Sequence, residues 1–241
     1  MPTRYQRHVE LVNSVLKIST CSKVEPVTTT STSRSGRSRR STRPSGDDRE
    51  AAILATAERL LSDRPFADIS VDDLAKGAGL SRPTFYFYFA SKDAVLERLF
   101  ARAITASVAQ QQHIDEVPED PQRAWHGGIY AFFDSLRPNR TVLLAGLGAM
   151  ATNPGLRQMW SDFMTGRIEY TAALITRERE RGAAPETIPA RDLATALNLM
   201  NERVVVAAQG SQQPALPEDA ALEALAHIWI TSIYGRASAS V

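Results

Sequence analysis

From Asp47 onward the apolar positions fall into a helical rhythm. In "DDREAAILATAERLLSD", Ile53, Leu54, Ala57, Leu60 and Leu61 return every three or four residues, with Asp47, Asp48 and Glu50 at the positive N-terminal end. The spacing predicts an amphipathic helix. A second, shorter helix is expected over "VDDLAKGAG": Ser70 caps it with Asp73 three residues on, Val71, Leu74, Ala75 and Ala78 form its stripe, and Gly77 and Gly79 end it. Ser81 then caps a third helix, with Arg82 and Pro83 in its first turn, where the missing proline N–H costs nothing. Ser91 caps a fourth, which opens "KDAVLERLF". Two short helices joined by a tight glycine-containing turn, with a stabilising helix before them, make a helix-turn-helix, whose second member lies in the major groove of DNA.

The third helix carries "SRPTFYFYFASK", four aromatic rings in five consecutive positions. Phe85 and Phe89, four apart, share a face that packs back on the first helix, and Tyr86 and Phe87 project toward the groove. An aromatic cluster at helical spacing is usually core. That accounts for the two phenylalanines but not for the hydroxyls. Arg82 and Thr84, beside Ser81 and Pro83 at the helix start, are placed for base edges. Tyr86, Tyr88 and Lys92 offer hydroxyl and ammonium donors of the kind that fix register on phosphates.

Farther along, the stripes become bulkier. Trp125, Ile129, Phe132 and Leu136 form one, and Trp160, Phe163, Met164 and Thr171 another. In "DLATALNLMNERVVVAAQG", Leu193, Leu197, Met200 and Val204 mark one face, and Asn198, Asn201 and Val205 its neighbour. Two amides on a mostly apolar helix need partners. Either they bond to each other or to backbone, or they orient a ligand inside aromatic walls, the usual make-up of a small-molecule site. The last two helices are apolar on more than one side and call for a partner surface. A two-fold dimer using Leu222 and Ile230 on the final helix is expected, with a monomer as the alternative.

Charge sharpens this picture at one end. The net charge of +1 hides nine Lys/Arg against two Asp/Glu in residues 1–46. Within that arm, "VTTTSTSRSGRSRRSTRPSG" is too poor in apolar residues to order itself, and its arginines, Arg40 and Arg43 nearest the fold, are expected to lie along nucleic acid. The expected organisation is therefore a basic arm over 1–46, a DNA-binding unit over 47–92 and a helical body over 93–241. One cysteine and four scattered histidines exclude a disulfide framework and a zinc-type cluster. No leader and no span of about 18 apolar residues is visible, so a cytoplasmic protein without membrane contact is expected. No nucleophile stands with a base at recognisable spacing and no glycine-rich phosphate loop appears, so neither a catalytic residue nor a cofactor is expected.

The run "ADISVDDLAKGAGLSRPTFYFYFASKDAVL" resembles the signature of the TetR family of bacterial one-component repressors. The resemblance implies an all-α homodimer, with an N-terminal three-helix helix-turn-helix head on a double-stranded DNA operator and a larger C-terminal body. An apolar small-molecule effector in that body releases the operator. "RPSGDDRE", "DLATALNLMNER" and "TSIYG" extend the likeness to one branch of the family, which implies control of a monooxygenase gene. In that branch the positions matching Trp125, Phe132, Trp160, Met164, Tyr170, Asn198, Asn201 and Trp229 line a long apolar channel. This chain departs from the branch at Leu136, Arg167 and Val206, where the branch is aromatic, and a channel wider at two points with an added cation is expected. The residues do not separate repressor from activator, and a helical small-molecule-binding protein or enzyme with a vestigial head is the rival reading.

Overall fold

The computed structural model describes residues 46–111, 120–210 and 213–235. Among them are nine α-helices, two short 3-10 turns and no strand. Arg40 and Arg43 of the arm lie outside the described residues.

The head is α1 (Gly46–Asp63), α2 (Val71–Gly77) and α3 (Arg82–Tyr88), with a 3-10 turn at Phe66–Asp68 between the first two. Both short helices start on the serines that the spacing indicated. Ser70 accepts from the Asp73 amide and Asp73 answers to the Ser70 amide, a complete capping box. Ser81 accepts from the Thr84 amide, with Pro83 in the first turn. Gly79, at φ 68°, stops α2: it takes the left-handed conformation that frees the Leu80 amide to close on the Ala75 carbonyl at 2.8 Å. The head's core is Ile53, Leu54 and Ala57 of α1, Ile69, Leu74 and Ala75, and Phe85 and Phe89 of α3, closed by Val95, Leu96 and Leu99. Phe85 is fully buried, a burial that stabilises by roughly 1.5–3 kcal/mol.

Helix α4 (Lys92–Gln111) leaves the head without a break and becomes the centre of the body. Ser91 caps it at the Ala94 amide, 3.1 Å. Around it stand α5 (Pro121–Leu136), α6 (Arg140–Ala149), α7 (Pro154–Glu180), α8 (Ala190–Gly210) and α9 (Glu218–Tyr234). Helix α6 packs on both α1 and α4, so it touches head and body together. The α4–α6 contact depends on Gly146: a Cβ there would stand 2.2 Å from the Phe100 ring. Phe100 in turn lies 6.1 Å, ring to ring, from Trp160 on α7.

In the final pair, α8 and α9, one of the two expected dimer residues turns inward. Leu222 lies on the inner stripe of α9 with Ala221, Leu225, Ala226, Trp229 and Ile233, and Ile230 is half-buried in the same core. The apolar side chains left exposed are Leu199 of α8 and Ile228 of α9, at 50% and 39%. Both helices are wide apolar cylinders, and periodicity does not tell which side of such a cylinder faces its own core.

Candidate nucleic-acid interface and ligand pocket

On α3 the inward and outward residues separate sharply. Phe85 and Phe89 are buried, whereas Arg82, Pro83, Tyr86 and Phe87 are exposed, Phe87 at 83%. Ser81 and Thr84 are spent on the cap, their hydroxyl oxygens 2.8 Å apart. Tyr88 is half-buried and stacks edge-on against Phe87 at 5.2 Å. Arg82 is not loose: it donates to the Asp72 carboxylate at 3.3 Å and to the Tyr86 hydroxyl at 3.4 Å. The Tyr86 hydroxyl and then the Asp72 charge hold its pKa above the usual arginine value. Asp72 was not foreseen, because nothing in a ten-residue separation signals that two exposed side chains meet.

Lys92 differs from expectation. Its ammonium donates to the carbonyls of Phe66 and Ala67 at 3.1 Å and of Ile69 at 2.8 Å, and sits 4.7 Å from the Phe66 ring centre. Three N–H groups on three carbonyls leave none for a phosphate. The lysine fastens the turn between α1 and α2 to the start of α4.

In the body the aromatic walls converge. The Trp125 and Trp229 rings are 5.3 Å apart, and the Trp229 indole donates to Asn201 Oδ1 at 2.9 Å. Asn198 donates through Nδ2 to Thr171 Oγ1 at 3.1 Å and to the Ala194 carbonyl at 2.9 Å. An indole can only donate and a carbonyl can only accept, so both amide orientations are fixed. What remains is Asn201 Nδ2, a donor, and Asn198 Oδ1, an acceptor, each without a hydrogen-bond partner on side chains 1% exposed. The bland alternative, two amides satisfied by each other or by backbone, is met only in part. A buried polar group left unpaired costs about 1–3 kcal/mol.

Phe132, Leu136, Trp160, Val205 and Val206 line one cavity of about 20 Å³, room for about one water. Leu136 and Val206, the positions where a widening was expected, both border this void, which Leu143 and Leu147 of α6 close in. The expected cation is present: the Arg167 guanidinium lies 3.9 Å over the Phe132 ring. Ile129 and Met164 are buried and Tyr170 half-buried in the same apolar cluster. Behind Trp125 stands a network that the sequence reading missed. The Trp125 indole donates to the Tyr234 hydroxyl at 2.9 Å, which donates to Glu178 at 2.7 Å, and Arg181 holds the other carboxylate oxygen at 2.8 Å. Arg181 keeps the Glu178 pKa below its usual value, while burial pushes Tyr234 up to about 12.

A helix-turn-helix head joined by one continuous helix to a larger helical body with a polar-spotted aromatic core defines a one-component transcriptional regulator. Residues 53–99 match the bacterial regulatory proteins of the tetR family, and residues 125–235 match the C-terminal domain of the transcriptional regulator EthR. The HTH-type transcriptional regulator EthR of Mycobacterium tuberculosis is 57% identical over 199 residues, 82% of this chain and 92% of its own. EthR of Mycolicibacterium smegmatis is 55% identical over 210 residues, 87% of this chain and 97% of its own. Among solved structures, a TetR-family regulator from Syntrophomonas wolfei superposes with a TM-score of 0.63 at 15% identity, covering 81% of this chain and all of that one. The chain belongs to the TetR family, with a body of the EthR type. It is therefore an HTH-type transcriptional regulator, and among the described residues no helix is long and apolar enough to cross a membrane.

Proposed function

We propose that the protein is a homodimeric repressor that grips a palindromic operator through Arg82, Tyr86, Phe87 and the basic arm. It releases that operator when an elongated apolar molecule enters the body. The observation that carries the ligand half is the pair of orphaned amide atoms, Asn201 Nδ2 and Asn198 Oδ1, three residues apart on α8, on side chains bonded to Trp229 and to Thr171. A carbonyl on the ligand satisfies the first, and an N–H or hydroxyl beside it satisfies the second. Trp125, Ile129, Phe132, Leu136, Trp160, Met164, Tyr170, Thr171, Val205 and Trp229 supply or back the apolar walls. With so little open volume between Phe132 and Trp160, occupation has to push α5, α7 and α8 apart. That is how a ligand comes to prefer one body shape over another, and only such a preference releases DNA. Control of a monooxygenase gene rests on the likeness to the EthR branch alone.

The test is a shift assay on DNA flanking the protein's own gene, followed by titration of the complex with a series of long-chain amides, esters and alkanes. Release by amides and esters at concentrations where alkanes of equal length do nothing supports the reading. Equal potency across the series removes the asparagines from it.

A further inference from the structure

We propose that Lys92 is a positioning residue for operator binding: it welds the head to α4, so that recognition helix and α4 turn as one body and the dimer insists on one half-site spacing. This rests on the dimeric operator-binding reading above. The three carbonyls that Lys92 Nζ meets, at 3.1, 3.1 and 2.8 Å, belong to Phe66, Ala67 and Ile69, in the turn that sets the angle between α1 and α2. Around this tie Ile69 is buried in the head's core and Phe66 packs against it, while Ala67 and Asp68 stay exposed. Lys92 is also the first residue of α4, the helix that runs on into the body. One side chain therefore ties the turn between α1 and α2 to the helix that runs on into the body. Beside it, a cleft of about 930 Å³ opens between the end of α1 and this turn on one side and Arg140, Leu144 and Gly148 of α6 on the other. Helix α6 meets the head through α1, and α4 meets it through Val95, Leu96 and Leu99, so Lys92 adds to these apolar contacts a polar tie directed at the turn itself.

The experiment uses the full-length protein and a palindromic duplex selected by the wild type from random DNA, remade with its half-sites one base pair closer and one farther apart. Lys92→Met keeps the stem and removes all three donors. The weld requires affinity at the native spacing to fall roughly ten-fold while the preference for that spacing flattens, with the slope of log K against log salt unchanged. A shallower slope, by about 0.9 per subunit, with the spacing preference intact would make Lys92 a phosphate contact and overturn the proposal. Weaker binding with both slope and preference intact reduces the lysine to bulk stability and overturns it too. A wild type indifferent to spacing sinks the dimeric reading itself, a separate failure visible before any variant is made. Should Lys92→Met not fold, amine acylation of the wild type decides. Equal protection of Lys92 in free protein and operator complex supports the weld, and protection in the complex alone overturns it.

Discussion

The arginine at the start of the recognition helix is held on two sides before any DNA arrives. Asp72 and the Tyr86 hydroxyl share the donors of Arg82, so its guanidinium keeps a defined direction at little further entropic cost. Arg82→Ala is expected to cost roughly 1–3 kcal/mol concentrated at one operator position, measured by competition among single-base variants; a uniform loss would make Arg82 a phosphate contact. Tyr86→Phe removes one hydroxyl and is expected to weaken specific and nonspecific binding together, by about 1 kcal/mol. Because that hydroxyl also holds Arg82, the double variant should lose less than the two single losses added, which a double-mutant cycle reads directly. In the pocket, Asn201→Leu removes the orphaned donor but strands the Trp229 indole as well. A Trp229→Phe background removes that stranded indole from the comparison, at the expense of leaving Asn201 Oδ1 unpaired in its reference. There Asn201→Leu should weaken release by a carbonyl ligand by roughly 1–3 kcal/mol and leave operator affinity in place. Equal release midpoints would make Asn201 a structural amide.

At the scale of the helix, the caps respond to pH. The Ser70 hydroxyl and amide, and after them Arg64, bring the Asp73 pKa down from 3.8 to about 2. A depressed carboxylate contributes stability above its unfolded pKa and loses it as pH falls through its folded one. The head should therefore keep this contribution down to about pH 4 and shed it between there and about pH 2. Ser70→Ala should raise the Asp73 midpoint, followed by carboxyl NMR titration; an unmoved midpoint would mean that Arg64 alone sets it. Between helices the contacts are steric. Gly146→Ala drives a methyl into the fully buried Phe100 ring and should cost about 1–3 kcal/mol in denaturant unfolding. These elements were legible in the sequence to the degree that they are local. Ser70, Ser81 and Ser91 act three residues away, and the stripes of α1 and α5 repeat every three or four. Lys92 with the Phe66 turn, 26 residues back, and Trp125 with Tyr234, 109 residues on, were not legible, because no spacing rule links side chains that meet only after the chain has folded. Asn198 and Asn201 lay between: their need for partners was readable, but which atom would stay unpaired depended on Thr171 and Trp229 from other helices.

For the whole molecule, the proposed dimer turns on which side of α8 and α9 meets the partner. Leu199 of α8 and Ile228 of α9 are the large apolar side chains that these two helices leave exposed. Leu222 instead sits at 8% exposure inside the protomer. The two positions should therefore fail differently when charged. Leu222→Asp places an unpaired carboxylate in the core and should destabilise the protomer by on the order of 3–5 kcal/mol, lowering its melting temperature even where it is monomeric. Ile228→Asp leaves the protomer's fold and melting profile nearly intact and should shift sedimentation from dimer to monomer at micromolar concentration. Operator affinity should fall with it, because a lone head keeps only one half-site and the symmetric contact no longer adds the second. Ligand binding to the isolated body should survive, since Asn198, Asn201, Trp125 and Trp229 all come from one chain. An Ile228→Asp protein that stays dimeric and holds its palindrome undiminished would place the two-fold contact on another face, and would leave the exposure of Leu199 and Ile228 to be explained by some other partner.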